Sequence, residues 1–124
     1  MNRFLSLGAL FGLLAVIIGA FGAHGLEDSL SEHALARYHT GVEYQFYHVM
    51  ALLVLGVLPL TPSSNLIKLS GFSFVAGIIL FSGSLYLYAL TGITTFGMVT
   101  PIGGFALIAG WSFLLIYAFK NKRT

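Results

Sequence analysis

The chain has 124 residues, the length of one domain, and 57% of them are hydrophobic while 8% are charged. Soluble domains carry about 25% charged residues, so this composition, with a mean hydropathy of +0.91, belongs to an integral membrane protein. A net charge of +2 from six basic residues is too little for a nucleic-acid patch, and the absence of cysteine excludes disulfides, thiolate metal sites and cysteine nucleophiles.

Phe4–Phe21 is an apolar run of 18 residues behind Arg3, just long enough to cross a bilayer. Ala20-Phe21-Gly22 resembles a signal-peptide cleavage site, but the run exceeds an h-region of about 7–15 residues. Gly8, Gly12, Ala15, Gly19 and Gly22 recur at spacings of four and three, forming one small-residue stripe that lets a neighbouring helix come close. The reading is a first transmembrane helix over about residues 4–22.

Ala23–Leu35 is polar and holds Glu27, Asp28 and Glu32. Ser29-Leu30-Ser31-Glu32 fits a capping box, with Ser29 as N-cap and Glu32 at N3. The second helix is expected from near Leu30 to Leu58, where Pro59 stops it, with its span at about 37–58. It carries an unusual polar set: Arg37, Tyr38, His39, Glu43, Tyr44, Gln45, Tyr47 and His48. An ionisable group at bilayer depth costs roughly 2.5–3.5 kcal/mol on insertion scales, so it needs a partner or a purpose. At 100° per residue, His39, Glu43 and Tyr47 share one flank and Arg37, Tyr44 and His48 another, leaving Val42, Phe46 and Val49 as the expected lipid-facing strip.

Thr61–Asn65 reads as a short turn, and about 69–90 as the third span. Its Ser70, Ser73, Gly77, Ser84 and Tyr88 make a small, hydroxylated face. Thr91–Val99 reads as an uncharged turn, after which Thr100-Pro101 predicts an N-cap and first helical residue for a fourth span over about 100–119. There Gly103, Ala106, Gly110 and Tyr117 share a stripe. The fold class is therefore all-α: one domain, a four-helix membrane bundle with small-residue seams at its contacts.

Arg3, Lys68, Lys120, Lys122 and Arg123 fall on one side in this arrangement, and Arg37 alone on the other. The positive-inside rule then predicts cytoplasmic termini in a multi-pass inner-membrane protein. Its expected partners are the lipid bilayer and a second copy or another membrane protein.

Several chemistries compete for the polar residues. His39 and Glu43 stand four apart, a spacing that presents two metal ligands, with His24 or His33 as a third; HxxxE is unspecific, and a hydrogen-bonded structural pair is the plainer reading. Bis-histidine haem needs ligands on facing helices, yet His39 and His48 share one helix. Glu43 with His48 fits a proton or cation path; its plainer reading is a carboxylate held by His39, Tyr47, His24, Ser84 or Tyr88 inside the bundle. Gly103-Gly104 lacks the lysine of a phosphate loop, and no hydrolase triad context exists. Tyr86, Tyr88, Trp111 and Tyr117 read as interfacial or bundle aromatics. No cofactor or metal is expected.

Four segments carry a resemblance: GAFGAHGL at Gly19–Leu26, ARYHTGVEYQFYHVMALL at Ala36–Leu53, FSGSLYLYALTG at Phe81–Gly92, and TPIGG with Gly110-Trp111. Together they resemble the domain-of-unknown-function 423 family, small bacterial inner-membrane proteins similar to transmembrane protein 256 of animals. The resemblance implies a four-helix integral membrane protein and brings no activity, substrate or cofactor with it. His24, Tyr38, His39, Glu43, Gln45, His48, Ser82, Ser84, Tyr86 and Pro101 are the polar or special residues in those segments.

The favoured expectation is a structural or accessory membrane protein binding a lipid or partner through a polar cluster on the second helix. A proton-linked transporter and a metal-dependent membrane enzyme are the alternatives. The orientation is testable because the chain lacks cysteine. In intact cells, Asp28→Cys should react with an impermeant maleimide and Asn121→Cys should not; the reverse pattern overturns the assignment.

Overall fold

A computed structural model describes residues 2–59 and 64–121. Within them the chain forms α1 (Arg3–Gly25), α2 (Glu32–Val57), α3 (Ser64–Thr91) and α4 (Thr94–Lys120), with no strand among the described residues. At 1.5 Å per residue each is at least about 35 Å long, enough for a ~30 Å hydrocarbon core. By length and apolarity α1, α3 and α4 can each cross a membrane. The more polar α2 lies alongside α1 from Gly56, against Leu5, to Tyr38, against Gly22.

The α1–α2 contact is made by the small-residue stripe. Gly8, Gly12, Gly19 and Gly22 receive Leu53, Val49, Val42 and Tyr38 in turn, and Ala15 between them is fully buried. Asn2 caps α1 by accepting from the Leu5 amide at 3.1 Å and donates through its own amide to the Gly56 carbonyl. The expected lipid-facing strip is corrected here: Val49 is buried, and Val42 and Val49 pack on α1. Branched side chains fill the shallow troughs that glycines leave, so this strip is a packing face and the Glu43 side looks outward.

A second seam joins α3 to α4. Ser70 Oγ donates to the Gly110 carbonyl at 2.7 Å, Gly77 receives Leu107, and Gly103 lies against the backbone at Leu80–Phe81. Packing thus runs α1–α2–α3–α4, and α1 also reaches α3 where Phe4 meets Gly71 and Phe72. Phe4, Leu52, Leu55, Phe74, Ile78 and Leu107 form the main apolar cluster.

Element ends differ from expectation in three places. Ser31, not Ser29, caps α2, its Oγ accepting from Ala34 N at 3.1 Å. Ser29 is occupied in a turn, its amide bonded to the Leu26 carbonyl at 3.1 Å. The α3–α4 link is short: Gly92 at φ +72° stops α3 and Ile93 precedes α4. Thr100 and Pro101 therefore sit inside α4 rather than at its start. Finally, α3 contains a π turn at Ile78–Ser82, closed by Gly83 N–H to the Ile78 carbonyl. Ser64 and Asn65 open α3; the rest of the expected turn before it, and Lys122 and Arg123, lie outside the described residues.

A side chain at Gly12 must displace Val49, since a Cβ there already lies 3.3 Å from Val49 Cγ1. Gly12→Leu should lower the stability of detergent-solubilised protein by about 1–3 kcal/mol, the usual cost of overpacking. Thermal unfolding of the purified variant checks this.

Candidate functional site

The buried face of α2 presents Tyr38, Gly41, Gln45 and His48, all at one inclination toward α1 and α3. Gln45 is 3% exposed and joins three helices. Its Nε2 donates to the Phe11 carbonyl on α1 at 2.7 Å, and its Oε1 accepts from Tyr86 Oη on α3 at 2.6 Å. Tyr38 Oη donates to the Ile18 carbonyl, and its ring lies 5.4 Å from that of Tyr86. Ser82, the last residue of the π turn, donates to the Gly41 carbonyl at 2.7 Å. That approach needs glycine, because a Cβ at Gly41 would fall 2.6 Å from the Tyr86 ring.

His48 continues the seam toward α4. Its Nδ1 lies 2.6 Å from the Tyr44 carbonyl and its Nε2 lies 3.0 Å from Trp111 Nε1. A carbonyl only accepts and an indole only donates, so the ring is a neutral imidazole protonated at Nδ1. Ser84 Oγ pairs with Thr100 Oγ1 at 2.5 Å. Among the described residues, no buried side-chain polar atom lacks a hydrogen-bond partner.

Beside this seam lies a groove of about 530 Å³ between α2 and α4, lined by Tyr44, His48, Phe81, Gly104, Ile108 and Trp111 among others. His48 and Trp111, which are bonded to each other, both line it.

A model of the family described as protein of unknown function (DUF423) matches residues 18–104. The chain belongs to that family. It is 48% identical over 120 residues to a UPF0382 membrane protein of Staphylococcus aureus, covering 97% of this chain and 98% of the relative. It is 44% identical over 121 residues to the UPF0382 membrane protein YwdK of Bacillus subtilis, again covering 97% and 98%. No solved structure matches it.

The DUF423 match runs from the end of α1 into α4, taking in Tyr38, Gln45, His48, Ser82, Tyr86 and Thr100 but not Trp111. Not every polar residue singled out from sequence joins the network. Tyr38, Gln45, His48 and Ser84 are buried in it, whereas His24, His39, Glu43 and Tyr47 are exposed. Glu43 has Tyr47 Oη at 3.5 Å, the limit of hydrogen-bond range, and none of the interior partners expected for it. Its flank points away from both α1 and α3, because those contacts use the opposite half of α2. Tyr88 stacks under Arg37 instead of reaching Glu43. Among the described residues, no three His, Asp or Glu side chains group as metal ligands, so His39, Glu43 and a loop histidine do not converge.

The partners that sequence reasoning missed are Tyr86, Trp111, Ser82 and Thr100. Tyr86 and Trp111 read only as interfacial or bundle aromatics, with no partner assigned; the clue was that a buried glutamine and histidine each need a donor from a facing helix. Interhelical hydrogen bonds in membranes average about 0.6 kcal/mol and reach ~1.7. Gln45→Leu removes two of them, and should destabilise by about 1–2 kcal/mol, while Tyr86→Phe costs less. Adding Tyr86→Phe to Gln45→Leu should cost almost nothing more, measured as a double-mutant cycle by unfolding in mixed micelles.

Proposed function

We propose that the chain is a non-catalytic, four-span protein of the bacterial cytoplasmic membrane, with both ends on the cytoplasmic side. In this reading it is an accessory component that binds a lipid or a membrane partner through the groove beside the α2 seam. The observation that carries the proposal is the closure of the seam. Tyr38, Gln45, His48, Ser82 and Ser84 each spend their hydrogen-bonding capacity on another helix or on the backbone. A proton path needs a group that can exchange its partner for water, and a metal enzyme needs convergent ligands. His48 is bonded at both nitrogens, and Glu43 stands on a different flank from it.

The asymmetry of basic residues and the bacterial origin of the relatives support the location. Reconstituted vesicles carrying an internal pH dye test the proposal against transport. Vesicles with the wild-type chain should dissipate an imposed proton gradient no faster than empty ones, and Glu43→Gln should leave that rate unchanged. A protein-dependent flux abolished by Glu43→Gln would replace this reading with a transporter.

A further inference from the structure

The groove between α2 and α4 has a cation above it. Arg37 precedes Tyr44 by seven residues and His48 by eleven, so each falls within about 20° of Arg37 around the helix, on opposite sides of it. At 1.5 Å per residue, Tyr44 lies ~10 Å and His48 ~16 Å further along the axis. The Arg37 guanidinium lies over the Tyr88 ring, 4.2 Å from its centroid. Tyr88 is itself seated on Gly97 at the start of α4, where a Cβ would come within 2.6 Å of the ring. A contact with the ring face spends none of the guanidinium's N–H donors on an acceptor atom. Among the described residues, no carboxylate or carbonyl accepts from those donors.

Below Arg37 the groove is apolar and aromatic, walled by Tyr44, Phe81, Ile108 and Trp111, with Gly104 leaving the space between them. A positioned cation with unspent donors over an apolar slot matches one ligand chemistry, a phosphodiester carrying a hydrocarbon tail. The lengths agree too. One leaflet contributes about half of the ~30 Å hydrocarbon core, close to the ~16 Å from Arg37 to His48. A second copy is a poorer occupant: two chains inserted the same way would bring Arg37 to the level of Arg37, like charge against like.

We propose that Arg37 and the α2–α4 groove form a glycerophospholipid site, with the phosphodiester on the Arg37 fork and one acyl chain running down to Trp111. This rests on the lipid-binding reading above and names its ligand and address.

The test uses the full chain, delipidated in dodecylmaltoside, with phosphatidylglycerol whose acyl tail carries a diazirine. After photolysis, label should concentrate in the peptide containing Gly104, Ile108 and Trp111. Unlabelled phosphatidylglycerol should compete; diacylglycerol of the same chains, or inorganic phosphate, should not. Arg37→Gln should cut labelling at least fivefold. Gly104→Leu should do the same by filling the slot; a Cβ there meets the Phe81 ring no closer than 3.8 Å, so the variant has room to fold. Ile108→Trp is a second filler from an exposed position, and unchanged lipid-free thermal unfolding certifies either variant. Equal labelling in both fillers, or diacylglycerol competing as well as phosphatidylglycerol, overturns the site. Saturable label on the outer face of α1 would refute this address while leaving lipid binding intact; no saturable label anywhere would sink both.

Discussion

The amide of Gln45 is the interaction on which the rest of the bundle depends. In hydrocarbon there is no water to satisfy a stray amide, and each unmet polar group costs several kcal/mol. Gln45 can be buried only if one helix supplies an acceptor and another a donor. Phe11 on α1 and Tyr86 on α3 do so, and that requirement fixes the height and rotation of both helices about α2. Apolar packing alone would tolerate sliding by a turn, because lipid tails are as apolar as leucine and penalise displacement weakly. The glutamine removes that freedom.

Close approach makes those bonds possible. Gly8, Gly12, Gly19 and Gly22 bring α1 near enough for a side chain of α2 to reach its backbone carbonyls, which Tyr38 and Gln45 both do. On the far side, Gly41 admits Ser82 and Tyr86, and Gly103 admits the backbone of the π turn. The extra residue of that turn lies where α3 contacts α2 and α4 at once, so Ser82 can serve one and Phe81 the other. Small residues and polar residues therefore act as one device: the first sets the distance, the second the register.

The architecture was legible because composition and periodicity are sufficient for it. Apolar run lengths, stops and small-residue stripes specify four helices and their order, and the relatives carry the name of membrane proteins. Which half of α2 faces inward was not legible. A helical wheel groups His39, Glu43 and Tyr47 together, and the expectation that ionisable groups seek the interior turned that flank inward. The expectation failed since the glycine stripe of α1 takes Tyr38, Val42, Val49 and Leu53, which turns the Glu43 flank away. Helix ends were misjudged for a local reason. Ser29 and Ser31 are equally good caps by type, and only the turn at Leu26–Leu30 selects between them. Thr100-Pro101 reads as a helix start, yet Gly92 ends α3 so abruptly that α4 begins well before it.

The outward Glu43 is then less costly than its place in the sequence implies. Side chains on a helix lean toward its N-terminus, and the N-terminal end of α2 is the end holding His33, Arg37 and His39. A glutamate leaning toward that end sets its carboxylate beside those polar residues while its methylenes cover apolar surface. Gln45 and His48 lie further along the same axis on the buried face, and each of their side-chain polar atoms has a hydrogen-bond partner inside. Rotation about α2, not position along it, sorts its polar residues. Tyr38, Gln45 and His48 share the face turned to the other helices and are hydrogen-bonded there, whereas His39, Glu43 and Tyr47 lie on the flank that faces out.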